Sequence, residues 1–167
     1  MTMSICKIGI SHNDLTLPKL ILALAFLCLC GSSAAQEDSV LGQARKLQQN
    51  GQSQALVEYL IPAIHNGELR GRDKILGIDM LVRTHLSLGN IEQALDHNSQ
   101  LKLEAKHLND ELYVGRAFLN HGEIVQSQGK HQEAISLFKQ ALTHYQTAGD
   151  AKFIANAQLE LSSSYGH

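Results

Sequence analysis

Three glycine-led segments recur along this chain at a nearly fixed spacing, and that recurrence restricts the fold more than any single residue does. Gly129-Lys130-His131-Gln132-Glu133-Ala134-Ile135 aligns with Gly89-Asn90-Ile91-Glu92-Gln93-Ala94-Leu95 and, more loosely, with Gly51-Gln52-Ser53-Gln54-Ala55-Leu56. Ala134 follows Ala94 by 40 residues, and Ala94 follows Ala55 by 39. A period in the range of about 20–50 residues marks a stack of like units, none of which can bury its apolar face alone.

Each unit reads as two helices joined by a glycine turn. Val40, Leu41, Ala44 and Leu47 fall at helical spacing before Gly51. A second stripe, Ala55, Leu56, Tyr59, Leu60 and Ala63, follows a Ser53 cap, with Pro62 expected to kink or shorten its last turn. After Asn66-Gly67 comes the longest connector in the chain, then a helix capped by Asp73 and carrying Ile75, Ile78, Leu81, Val82 and Leu86. Beyond Gly89-Asn90, the next helix uses Ile91, Ala94, Leu95, Leu101 and Ala105, and Asn109 is expected to cap its successor. That successor, near residues 110–128, is apolar on more than one side, and its Gly122 offers a place for a neighbouring helix to approach closely. Ala134, Ile135, Phe138, Ala141, Leu142 and Tyr145 stripe its partner; Gly149-Asp150 supplies a stop and a new cap, and a final helix spans residues 151–165. No alternating strand pattern interrupts the series. The expected fold is all-α, a solenoid of about three helical hairpins plus a C-terminal capping helix. Only 5% of residues are aromatic and none is Trp, so its core must be aliphatic.

The first 35 residues read differently. Leu20 to Cys30 is an unbroken apolar run, preceded by Lys19 and followed by Gly31-Ser32-Ser33-Ala34-Ala35. Charge, apolar stretch and small residues come in the order of a secretory signal, with cleavage after Ala35. The run is far shorter than the roughly 20 residues that span a hydrocarbon core. Export across the inner membrane into the periplasm is the expectation; an uncleaved signal acting as a membrane anchor is the alternative. All three cysteines, Cys6, Cys28 and Cys30, lie in this segment, so residues 36–167 must hold together by packing without disulfides. The expected organisation is thus a signal over 1–35 and repeats near 36–74, 75–114 and 115–154.

A helix, a glycine turn and a second helix with an early alanine resembles the tetratricopeptide repeat. With the family's alanine placed on Ala94 and Ala134, copies start at Ile75 and Gly115. The Gly115 copy supplies Phe118, Gly122, Gly129, Ala134, Phe138 and Ala141 at the family's positions; the Ile75 copy supplies Ile78, Val82, Gly89, Ala94, Asn98 and Leu101, and so lacks the aromatic of the second helix. Packing is expected to be weaker there. The usual unit is about 34 residues, so a period of 40 implies longer hairpins. The family's terminal proline is absent from every copy.

The resemblance implies a protein or peptide partner held in a concave groove lined by the first helix of each copy. Those places hold Asp79, Met80, Arg83 and Leu86, then Arg116, Leu119, Asn120, Glu123 and Gln126, then Asn156, Leu159, Glu160 and Ser163. Arg83, Arg116, Asn120, Glu123 and Asn156 are the candidate partner-binding residues, since Arg offers a planar fork and Asn both donor and acceptor to a peptide backbone or carboxylate. The pattern does not match the Lys/Asn clamp of cytosolic chaperone adaptors. The resemblance also admits a sensory input segment of a larger signalling protein, of diguanylate cyclase or histidine kinase type, and self-association through the C-terminal helix.

Other functions find little support in the residues. A net charge of −2 without a Lys/Arg cluster disfavours nucleic acid. No pair among the nine histidines stands three or four residues apart on a helix, so no metal site is expected. No phosphate loop, nucleophile elbow or reactive cysteine is present in residues 36–167. The expectation is a binding protein that uses no cofactor and is not an enzyme.

Overall fold

The computed structural model describes residues 39–165, so the expected signal segment lies outside the described residues. Seven α-helices follow one another: α1 (Val40–Gln49), α2 (Ser53–His65), α3 (Gly71–Ser87), α4 (Ile91–His107), α5 (Glu111–Ser127), α6 (His131–Ala148) and α7 (Ala151–Tyr165). They pack in consecutive pairs, with α1 also touching α3 and α3 touching α5. The described residues contain no strand. The architecture is the all-α, solenoid-like stack that the repeat spacing implies.

The repeat extends to the hydrogen bonds that close each helix. Asn90 N donates to His85 O (2.9 Å), Asp110 N to Ala105 O (2.9 Å), Lys130 N to Val125 O (3.0 Å) and Asp150 N to Tyr145 O (3.3 Å). Each spans five residues back, the closure of a helix that ends in one left-handed residue. Gly149 fills that place between α6 and α7 with φ +72°, and Asn109 fills it forty residues earlier with φ +52°. Asn109 therefore ends α4 and does not cap α5. The cap belongs to Asp110, whose Oδ1 accepts from Tyr113 N at 3.3 Å. Asn tolerates the left-handed region because its short polar side chain is the least penalised after glycine. Two other boundaries also differ from the expectation. Asp73 lies inside the first turn of α3, with the extended Arg70 before it, and Gln52 precedes α2 without a side-chain cap. Pro62 is accommodated inside α2, which runs on to His65.

The core is mostly aliphatic, as the composition suggests, but it departs from that expectation in its third cluster, which centres on two aromatic rings. Leu41, Leu56, Leu60 and Leu81 form one cluster; Ile75, Ile78, Val82 and Leu101 a second; Leu119, Leu137, Phe138 and Tyr145 a third around α5 and α6. The third depends on two glycines of α5. A Cβ at Gly122 would lie 2.4 Å from the Phe138 ring, and one at Gly115 would lie 2.8 Å from the Tyr145 ring. Phe138 and Tyr145 are both fully buried because those methyl groups are missing. Forty residues upstream the corresponding pair is Val82 and Asn98. Asn98 is buried there, and its Nδ2 donates to Ala117 O at 2.9 Å, tying α4 to α5, while its Oδ1 has no partner. The expected weak point is thus bridged by a hydrogen bond in place of an aromatic ring.

Gly122→Ala should destabilise the fold by about 1–3 kcal/mol in urea titration, since a methyl group must be forced against a packed ring. The same substitution in a Phe138→Leu background should cost clearly less.

Candidate functional site

On one side of the stack α3, α5 and α7 border an open cavity of about 510 Å³. Asp79 and Arg83 of α3, Tyr113 and Arg116 of α5, and Lys152, Phe153, Ala155, Asn156 and Leu159 of α7 line it. These are first-helix residues of successive copies, so the period of the sequence brings them to one surface. Asp150 fixes the first turn of α7: its Oδ1 accepts from the backbone N–H groups of Lys152 (3.0 Å) and Phe153 (3.3 Å), two of the five α7 residues that line the cavity.

The floor is a buried polar cluster that crosses from one copy to the next. Arg116 Nε donates to Asp79 Oδ1 at 3.1 Å, and Asn120 Nδ2 donates to the same oxygen at 2.9 Å. Arg116 and Asn120 are four residues apart on α5 and so lie on one face of the helix. Asp79 and Arg116 are each 9% exposed, and Asn120 is fully buried. Arg116 also lies beneath Phe153, its Cζ 6.0 Å from the ring centroid. Burial works against the guanidinium charge, but Asp79, then Tyr145 and Glu123, outweigh it, so Arg116 is held above its ordinary range and remains a cation. Burial raises the Tyr145 hydroxyl strongly and the Tyr113 hydroxyl as well. Glu123, half-buried, is pushed up by burial; Arg116 opposes the shift and Glu160 adds to it.

The five candidate residues separate accordingly. Arg83 is exposed, and it shares the cavity with Arg116 and with the half-buried Asn156. Glu123 is absent from the lining and acts on the cavity only through its charge. Asn120 lies under the surface, its amide committed to Asp79, with its Oδ1 enclosed and without a protein partner. Leu119, expected to face the groove, is fully buried against the α6 cluster, and Met80 is buried too. The groove is therefore narrower than the set of places expected for it. Lys152 and Phe153, which were not among the expected groove residues, line it instead. Among the described residues, no three of His, Cys, Asp or Glu converge as a set of metal ligands. Nor is any helix among them long and apolar enough to cross a membrane.

No protein-family model matches the chain, and no curated protein matches it.

Asp79→Ala should cost about 3–5 kcal/mol in urea titration, because it leaves a buried guanidinium without its counter-charge. Asp79→Leu combined with Arg116→Leu should cost markedly less than Asp79→Ala alone; leucine already occupies the corresponding positions on neighbouring copies, Leu119 and Leu76.

Proposed function

We propose that this chain is a tetratricopeptide-type binding scaffold, and that it holds a protein or peptide segment in the cavity between α3, α5 and α7. One observation supports this reading above the others: three successive copies contribute charged, aromatic and amide side chains to a single cavity of about 510 Å³. A volume of that order suits a few residues of an extended chain or a small ligand. The charge balance suggests what such a segment carries. Arg83, Arg116 and Lys152 face the cavity with Asp79 as the lone acid among its lining residues, and Asp79 is already engaged by Arg116 and Asn120. Arg83 and Lys152 then favour acidic groups, Asn156 can bond a peptide backbone, and Phe153 with Leu159 offers an apolar contact beside them. Export to the periplasm belongs to the same proposal, on the residues of the amino-terminal segment.

Panning a random peptide display library on the full chain should select acidic sequences. The double charge reversal Arg83→Glu with Lys152→Glu should weaken their binding by at least about tenfold, with an unchanged urea midpoint. Arg83 and Lys152 are both exposed, so the reversal tests recognition and spares the fold. Selected peptides that bind the reversed chain equally well would move the site elsewhere.

A further inference from the structure

The hairpin of α3 and α4 carries a second buried feature, away from the cavity. His85, in the last turn of α3, stacks on His97 of α4 with ring centroids 5.2 Å apart and planes 18° apart. His85 is 6% exposed, and His85 Nε2 and His97 Nδ1 are both enclosed without a hydrogen-bond partner. The other nitrogen of His85, Nδ1, lies 3.5 Å from Asn90 Nδ2. An amide nitrogen only donates, so the neutral ring that accepts this weak contact carries its proton on the enclosed Nε2.

The surroundings favour two neutral rings. On α4, Glu92, Gln93 and Asp96 share a surface recess with His97, and Asp96 and the Gln100 side chain favour its charged form. From α2, His65 opposes it. Burial dominates and holds His97 below its ordinary value. For His85 burial acts first and the facing His97 adds to it, again downward. Charging His85 places its second proton on Nδ1, where it faces the donor amide of Asn90 and loses that contact, in a ring that is already enclosed, and two stacked imidazolium rings would repel each other.

We infer that this histidine stack makes the α3–α4 hairpin acid-labile, so that protonation parts the rings and loosens α3 from α4. The direction follows from linkage. Both folded-state values lie below the unfolded imidazole's, about 6.5, so the pair's contribution to stability is complete above that pH and is lost as pH falls through the folded values. His121, lowered by burial on α5, acts in the same sense. Glu123, raised by burial, acts in the opposite one, contributing at low pH and losing its contribution as pH rises. Asp79 and Arg83 lie on α3 just before His85, so a loosened α3 displaces one wall of the cavity and releases what the cavity holds. That last consequence rests on the binding function proposed above; the acid lability does not.

The test uses the full chain between pH 7.5 and pH 5. Imidazole NMR should show His85 and His97 neutral below the pH at which an ordinary histidine charges. Their protonation should coincide with faster amide exchange in α3 and α4, ahead of α5 and α6. The folding equilibrium constant should fall on the order of tenfold or more across the range. His85→Phe with His97→Phe keeps two stacked rings and removes both titrations, so most of that fall should disappear. Both imidazoles charging at the ordinary value with α3–α4 exchange unchanged would overturn the inference, as would a double variant with the full acid sensitivity. Should that variant fail to fold, the titration and exchange of the unaltered chain decide. Acid loosening that leaves peptide binding intact would count against the cavity as the binding site while upholding the acid lability.

Discussion

The close approach of α6 to α5 is the constraint from which most of the rest follows. Gly115 and Gly122 stand two turns apart on one face of α5, and the rings of Tyr145 and Phe138 occupy the space their side chains would have filled. With α6 held against that face, α5 turns its adjacent face towards α3, and Arg116 and Asn120 meet Asp79 there. The opposite flank of the α5–α6 hairpin receives α7, seated through Ala157 in the same core cluster. The cavity is what remains between the three first helices once those contacts are made. It is built by exclusion from the core, which explains why polar and charged residues border it so closely on fully buried ones.

A buried ion pair at this place is a weak source of net stability. Desolvating a carboxylate and a guanidinium costs several kcal/mol each, and their attraction offsets that loss only when the geometry and the remaining hydrogen bonds are good. Here the carboxylate oxygen accepts twice, but Asn120 Oδ1 nearby has no protein partner. Its more evident effect is on register. Asp79 fits against Arg116 and Asn120 only when α3 and α5 are aligned to within a turn, whereas the aliphatic contacts between them would tolerate a slip. Such a bond couples neighbouring hairpins that otherwise share only a nearest-neighbour apolar interface.

Much of this was legible in the sequence, for a physical reason. Helix periodicity and left-handed turns are local properties, and a chain that repeats them every forty residues displays them several times over; seven helices and the glycine turns at 89 and 129 follow directly. Gly122 was legible as a point of close approach because it interrupts an otherwise apolar helix. Gly115 was not, since nothing nearby distinguishes it from the start of a copy. The candidate groove residues were placed on the right helices, but sequence spacing cannot tell an exposed Arg83 from an Arg116 committed to an acid thirty-seven residues away. Leu119 shows the same limit: two faces of α5 are buried, and periodicity alone does not say which leucine looks inward. Lys152 and Phe153 were not expected on the groove because their position depends on how α7 docks, a tertiary fact with no sequence pattern of its own.

Asp150 joins two roles. Its carboxylate starts α7 by accepting from the N–H groups of Lys152 and Phe153, and those residues help to line the cavity. The joint between hairpins is therefore also the hinge pin of the binding surface. A residue inserted between Asp150 and Lys152 would carry the carboxylate out of reach of the N–H groups it holds, while Ala157 would still seat the helix in the core. The first turn of α7, and with it Lys152 and Phe153, would then lose its anchor while the rest of the helix stayed docked.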